Sequence, residues 1–323
     1  MQTAWGWPIA IYLFLGGMGA GALLIAAAFE FSGKRYQYDF CPTALVGATV
    51  PGPLLILGTL LLIFDLGAGR REPWRILYMY THFSSVMTWG VWLLTLFIPV
   101  ALIYGFLEIL DAFPATRQWL RSRRWLRWTA FLWNLPLRQT KRIFAGVGAV
   151  LAIGVATYTG ILISAVGPAI PFWSTWVLPF IPIPMLPVLF LVSAISTGLG
   201  LTVDLAATLA LGSVEQRLKS LPWIHLALIG AETLLLGMML ITALMAGGSA
   251  AKSAQEIIAG SYAIVFWFLI VLPGFIFPFV VHAYAIGLGR HSPVSGVGSG
   301  MGIVISGLFL RYLILISGIP AAL

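Results

Sequence analysis

Three small sets of side chains in this sequence can do chemistry. The first is a run of hydroxyls, Thr157, Tyr158, Thr159 and Ser164, inside the otherwise apolar segment VATYTGILISAVGPAIPFW. A buried tyrosine hydroxyl needs an acceptor, and either a neighbouring helix carbonyl or the carbonyl of a quinone head group supplies one. The second set is the charges in apolar surroundings: Asp204, Glu232 and Arg311, with Asp65, Glu30 and Glu108 nearer the ends of their segments. A charge at mid-membrane depth costs at least a few kcal/mol unless it is paired or hydrated. Glu232 with Arg311 therefore reads as a structural ion pair or, with Asp204, as a proton-conducting seam between helices. The third set is four histidines, His82, His225, His282 and His291. Bis-histidine haem needs imidazoles at matching depth on facing helices, and only His225 and His282 could meet that condition, so the histidines could hold one haem at most, there is no two-haem pattern, and no haem is expected. The single cysteine, Cys41, excludes a disulfide framework and an iron-sulfur cluster held by this chain's own thiolates. There is no His-x-x-x-His pair, no glycine-rich phosphate loop and no nucleophile elbow, so no metal site is expected.

The elements that must position these groups are membrane helices. With 323 residues, 60% hydrophobic and 9% charged, and a mean hydropathy of +0.99, the chain has no polar surface to give a soluble domain. Apolar windows predict eight spans near Trp7–Phe31, Thr43–Leu66, Ser84–Leu110, Ile143–Val166, Met185–Gly212, Trp223–Met245, Tyr262–Gly289 and Gly298–Ile319. The first lacks a basic n-region and a small-residue cleavage site, so it is expected to be retained. Thirteen Lys and Arg residues fall in the odd-numbered loops and four in the even-numbered ones. Positive-inside bias then puts the odd loops in the cytoplasm and both termini outside. The net charge of +8 mostly reflects this asymmetry and implies no nucleic acid partner.

The loop at 111–142 interleaves Arg121, Arg123, Arg124 and Arg127 with Trp119, Trp125, Trp128 and Trp133, a pattern suited to anionic headgroups of the bilayer. The fold expected is an all-α integral membrane protein of eight transmembrane helices in two four-helix bundles, residues 1–166 and 167–323. A faint internal echo, FLVSAISTGLGL in the fifth span against YLFLGGMGAGAL in the first, aligns Gly198 with Gly21. The first span also carries Gly16, Gly17, Gly19 and Gly21 within six residues. Glycine costs roughly 1 kcal/mol against alanine in a helix interior, so something approaches this backbone closely, either a helix or a flat ligand. By topology the outer half of the fourth span shares its depth with Tyr12 and Gly16, with Asp65 and with His82. Hydroxyl, carboxylate and imidazole at one level can orient a quinone and exchange its protons.

The sequence resembles the polysulfide reductase membrane subunit family, also called the NrfD family. The resemblance is carried by WPIAIYLFLGGMGAGALL at Trp7–Leu24, by YTGILIS at Tyr158–Ser164 and by the small-residue fifth span, and it covers essentially the whole chain. It implies a quinone-reactive subunit with no haem, working with menaquinone or ubiquinone in a bacterial or archaeal cytoplasmic membrane. Its implied partners are a four-cluster ferredoxin-like iron-sulfur subunit and a molybdopterin catalytic subunit. Tyr158 matches the family's fourth-helix tyrosine at the quinone head group, and His82 resembles the histidine near the start of the third helix in quinol-oxidising members. Some relatives carry asparagine or histidine in the first helix, where this chain offers only Tyr12.

On this reading His82 and Asp65 are the expected catalytic residues, with Tyr158, Tyr12, Gly16, Gly19 and Thr157 holding the quinone. Glu232, Asp204 and Arg311 form the proton path. The iron-sulfur partner docks on the outer loop 67–81, where Arg70, Arg71 and Arg75 face it. The competing readings are a secondary transporter, suggested by Pro51-Gly52-Pro53 and by the prolines at Pro273 and Pro278, a b-type cytochrome, and a purely structural anchor.

Overall fold

The computed structural model describes residues 5–33, 41–66, 73–122, 136–178, 181–210, 221–288 and 293–321. Eight of its helical stretches are long and apolar enough to cross a membrane. The first span is Trp7–Phe31, with a proline in its opening turn where the missing N–H removes no helical bond. The second is built from two helices, Pro42–Thr49 and Pro51–Leu66. Pro51 has no N–H to donate, yet the chain winds on through the break, with Leu54 N–H donating to the Val50 carbonyl at 3.1 Å. The third and fourth spans are Val86–Ala112 and Leu137–Ser164. The fifth and sixth are Met185–Ala210 and Leu221–Ala246. The seventh begins as a π-helix over Val265–Ile276 and continues as an α-helix over Phe277–Leu288. The eighth is Pro293–Ile316.

Each span lies within a few residues of its sequence-derived window, but three features have no counterpart in the hydropathy pattern. The seventh span is wound wide around Pro273, and Ser306 of the eighth span donates to the Ile270 carbonyl at 3.0 Å beside the widened segment. A short helix, Gly248–Ile258, lies between the sixth and seventh spans. A two-stranded antiparallel hairpin, Trp176–Leu178 with Ile181–Pro184, precedes the fifth span. Of the basic loop, the described part is the helix Pro114–Ser122, on which Trp119 is exposed; residues 123–135 lie outside the described residues.

Burial identifies the centre. In their most apolar windows the first span is 78% buried and the fifth 72%, against 33% for the sixth and seventh, which leave most of their surface uncovered by the rest of the chain. The first span packs on the second, fourth, fifth and eighth; the fifth also meets the fourth, sixth and eighth. The crossing of the first and fifth spans is backbone on backbone. A side chain at Gly21 would overlap the Ala194 carbonyl, and one at Gly198 would overlap the backbone of Gly21 and Ala22. The two glycines aligned by the internal echo therefore touch each other, as small residues at a close helix crossing do.

The connection after the fourth span folds over one end of this core. Trp173 is buried, donates to the Ile314 carbonyl at 2.8 Å and stacks on Trp5 at 5.5 Å, while the Ala321 N–H donates to the Ala169 carbonyl at 2.9 Å. The described ends of the chain thus share one face of the protein.

Candidate functional site

Tyr12 of the first span and Tyr158 of the fourth are both buried, and their hydroxyls face each other. The first and fourth spans can bring them together because two glycines make room. A side chain at Gly90, on the third span, would overlap Cζ and Oη of Tyr158, and Gly58 of the second span lies against the Tyr12 ring, its missing β-carbon 3.5 Å from Cδ2. Gly16 stands one helical turn from Tyr12 on the same face. It is buried, yet a β-carbon there would meet nothing within 4 Å. The arrangement is a pair of phenols in an apolar setting beside unfilled space. It can donate a hydrogen bond to a carbonyl oxygen and admit something flat.

The other residues expected at this site are distributed around it. Gly19 faces the second span, where its β-carbon would stand 2.6 Å from Leu55 Cδ1 and 3.5 Å from the Pro51 backbone. Thr157 is half-buried and its hydroxyl donates to the Ile153 carbonyl of its own helix at 2.7 Å. His82 is on an exposed turn before the third span, with Nδ1 3.1 Å from the Tyr78 carbonyl oxygen and 3.1 Å from Thr81 Oγ1. Asp65 stands in the last turn of the second span; its side chain lies outside the described residues, as do residues 67–72 and the side chains of 73–76 in the expected docking loop. The described part of that loop is a 3-10 helix, Pro73–Tyr80.

The second group sits where the two central spans meet the sixth and eighth. Arg311 is fully buried and donates from Nη1 to the Gly307 carbonyl at 2.8 Å and to Ser193 Oγ at 3.3 Å. Its guanidinium lies over the rings of Phe190 and Phe14, at 5.2 Å and 5.7 Å from their centroids. Gly17 leaves the space for it, since a β-carbon there would be 2.7 Å from Nη2. Glu232 is also buried, and the polar groups it faces are Ser193, Ser196 and Arg311. Ser193 thus stands between the two charges and links them. Asp204, further along the fifth span, packs its carboxylate against Gly300 of the eighth, where any side chain would overlap it.

One cluster goes beyond what the sequence indicated, and another brings together the one histidine pair that the sequence placed at matching depth. Lys141 is fully buried at the start of the fourth span and pairs with Glu108 at 2.5 Å, Asp111 at 2.8 Å and Glu30 at 3.6 Å. Helix-end position suggests solvated interfacial carboxylates, but Glu30 and Glu108 are as buried as the lysine. The available signal was an apolar run beginning just after Lys141 while acidic residues end the first and third spans at the same face. The other cluster is His225 of the sixth span and His282 of the seventh, stacked with centroids 4.3 Å apart and 8° between planes. Rings stacked face to face at that distance leave no room for a porphyrin between them. Away from these groups, an apolar groove of about 660 Å³ opens between the sixth and seventh spans, lined by Gly230, Gly237, Trp267 and Phe275 among others.

Residues 1–321 match the family profile described as Polysulphide reductase, NrfD. The sequence is 30% identical over 320 residues to the C subunit of polysulfide reductase from Wolinella succinogenes, covering 98% of this protein and 94% of that one. It is 30% identical over 336 residues to protein NrfD of Escherichia coli, covering 98% and 95%. A protein NrfD homolog of Haemophilus influenzae is 26% identical over 292 residues, covering 88% and 84%.

Proposed function

The chain belongs to the polysulphide reductase NrfD family, and from that premise we propose that it is the quinone-reactive membrane subunit of a respiratory oxidoreductase complex. The observation that carries this reading is the buried Tyr12–Tyr158 pair beside the unfilled space at Gly16. Tyr158 donates its hydroxyl proton as a hydrogen bond to one quinone oxygen, Tyr12 holds the Tyr158 hydroxyl in place, and the glycine face admits the ring. In the oxidising direction a quinol would pass its two electrons one at a time to the iron-sulfur clusters of the partner and its two protons to the outer side, by way of His82 on its exposed turn and Asp65. The reverse direction uses the same groups.

The partners in this reading are a four-cluster iron-sulfur subunit on the 67–81 loop and a molybdopterin subunit beyond it. The complex lies in a bacterial or archaeal cytoplasmic membrane, with both termini outside. The division into two four-helix bundles at 166/167 belongs to the same reading, with the first and fifth spans packed on each other across it. Glu232, Asp204, Arg311 and the serines between them form a polar path in the second half through which quinone turnover is coupled to proton transfer.

Tyr158→Phe removes one hydroxyl and keeps the ring over Gly90. It is expected to slow quinol oxidation by the purified complex about tenfold or more, the size of a lost charge-orienting contact. Full activity in both Tyr158→Phe and His82→Ala, with the chain serving only to hold its partners on the membrane, would sink the quinone assignment. For the proton path, Glu232→Gln with unchanged proton translocation per electron removes Glu232 from it.

A further inference from the structure

The buried imidazole pair has no part in the chemistry described above. His225 is 3% exposed and His282 5%, and His282 Nε2 is 3.0 Å from Ser299 Oγ on the eighth span. His225 Nδ1 is buried without a hydrogen-bond partner. A buried polar nitrogen left unsatisfied costs about 1–3 kcal/mol, so two leucines would fill the same volume at lower cost. What an imidazole offers that leucine lacks is a reversible proton.

Position along the helices says where such a proton would go. His225 and Glu232 lie seven residues apart in the continuous helix Leu221–Ala246, two turns on one face and about 10 Å along the axis. Both imidazoles lie toward the end of the protein that carries the odd-numbered loops, which positive-inside bias assigns to the cytoplasm. Among the described residues of the fifth to eighth spans, the titratable groups buried at this end of the protein are the two rings themselves and Asp204 of the fifth span. Asp204 packs on Gly300, the residue after the Ser299 that contacts His282, so the eighth span presents both at one level. Beyond them on the way inward come Glu232 and Arg311.

We propose that the stacked His225–His282 pair is the loading station of the proton path, taking one proton from the odd-loop side and passing it inward to Glu232. This rests on the reading that Glu232 conducts protons. The step is a transfer of H⁺ alone: a ring nitrogen accepts it from water at the odd-loop end, and water between the pair and Glu232 carries it to the carboxylate, which the 10 Å gap is too long to receive directly. No electron moves. The stack holds a single proton at a time, because two imidazolium rings in van der Waals contact repel strongly in a low-dielectric interior.

The test uses the purified complex in liposomes, with a pH dye on the odd-loop side and quinol oxidation followed in the same sample. His225→Gln and His282→Gln are each expected to lower proton uptake per electron at least fivefold, and azide, a small weak acid that ferries protons, to restore it. Unchanged uptake in both variants, when Glu232→Gln abolishes it, overturns the loading station and leaves the Glu232 path standing. Unchanged uptake in all three overturns the path itself and the station with it. A loss that azide does not restore shows a packing role and also overturns the proposal. In the wild-type complex, ¹⁵N-histidine spectra are expected to show the two signals missing from the variants changing together by one proton. Two rings that stay neutral from about pH 5 to 9 contradict it.

Discussion

A single methyl group at Gly16 separates ligand contact from helix packing. The glycine is buried, yet a β-carbon there meets nothing within 4 Å, whereas at Gly17 it would stand 2.7 Å from Arg311 Nη2. Alanine is about 1 kcal/mol better than glycine in a helix interior, so Gly16→Ala is expected to leave the thermal unfolding temperature unchanged or higher. A quinone ring lying in that space would meet the added methyl. Overpacking by one methyl costs about 1–3 kcal/mol, which converts to roughly a 5- to 150-fold rise in apparent KM for quinol. The assay is oxidation of a short-chain menaquinol analogue by the purified complex, titrated for KM, with thermal unfolding of the same preparation. Gly287→Ala, at another position with nothing within 4 Å, is the control for a methyl added elsewhere in the membrane region. If Gly16→Ala and the bulkier Gly16→Leu both keep KM within about twofold of wild type, the space is not where the ring lies and the reasoning from it fails.

Gly198→Ala acts on the opposite principle: its β-carbon would overlap the Gly21 and Ala22 backbone, which cannot swing aside as a side chain does. We expect a loss of about 1–3 kcal/mol or more, read as a lower unfolding temperature in detergent, and a neutral result would mean the central crossing is looser than the structure has it. Lys141→Met takes away the ammonium shared by Glu30, Glu108 and Asp111, which should cost about 3–5 kcal/mol, while Lys141→Arg keeps part of that; equal stability of all three proteins by thermal unfolding would contradict this. Outside the spans, the Ser261 N–H donates to Glu256 Oε2 at 2.9 Å and, by favouring the ionised carboxylate, lowers its pKa below the usual value. A lowered folded pKa means the contact contributes above the ordinary carboxylate range and is lost as pH falls through the lowered value. Hydrogen exchange at the Ser261 amide should therefore lose protection in acid, and Glu256→Gln should lose it at neutral pH; protection that ignores both changes rules the contact out.

The four glycines of the first span show how far the sequence could be read. Their spacing establishes that the backbone is approached closely, because that follows from composition within one helix. It does not establish by what. Gly21 meets the fifth span, Gly19 meets Leu55 and Pro51, Gly17 receives Arg311, and Gly16 faces open space, and the residues that decide among these outcomes stand from 32 to 294 positions away. The spans themselves were legible because hydropathy is a local sum; the internal echo aligned Gly21 with Gly198 as equivalent positions, and that the two touch is given by the packing. Buried ion sets were not. Glu30, Glu108 and Lys141 each sit at a helix end, where a solvated charge is the ordinary expectation, and only the three-way packing of the first, third and fourth spans removes them from water. The same limit applies to the charges of the second half. Glu232 and Arg311 were recognisable as costly, but Ser193, one of many serines in membrane helices, joins them only once the fifth, sixth and eighth spans converge. A charge can be found from sequence by its cost, whereas the neutral group that makes the cost bearable is found only from the packing.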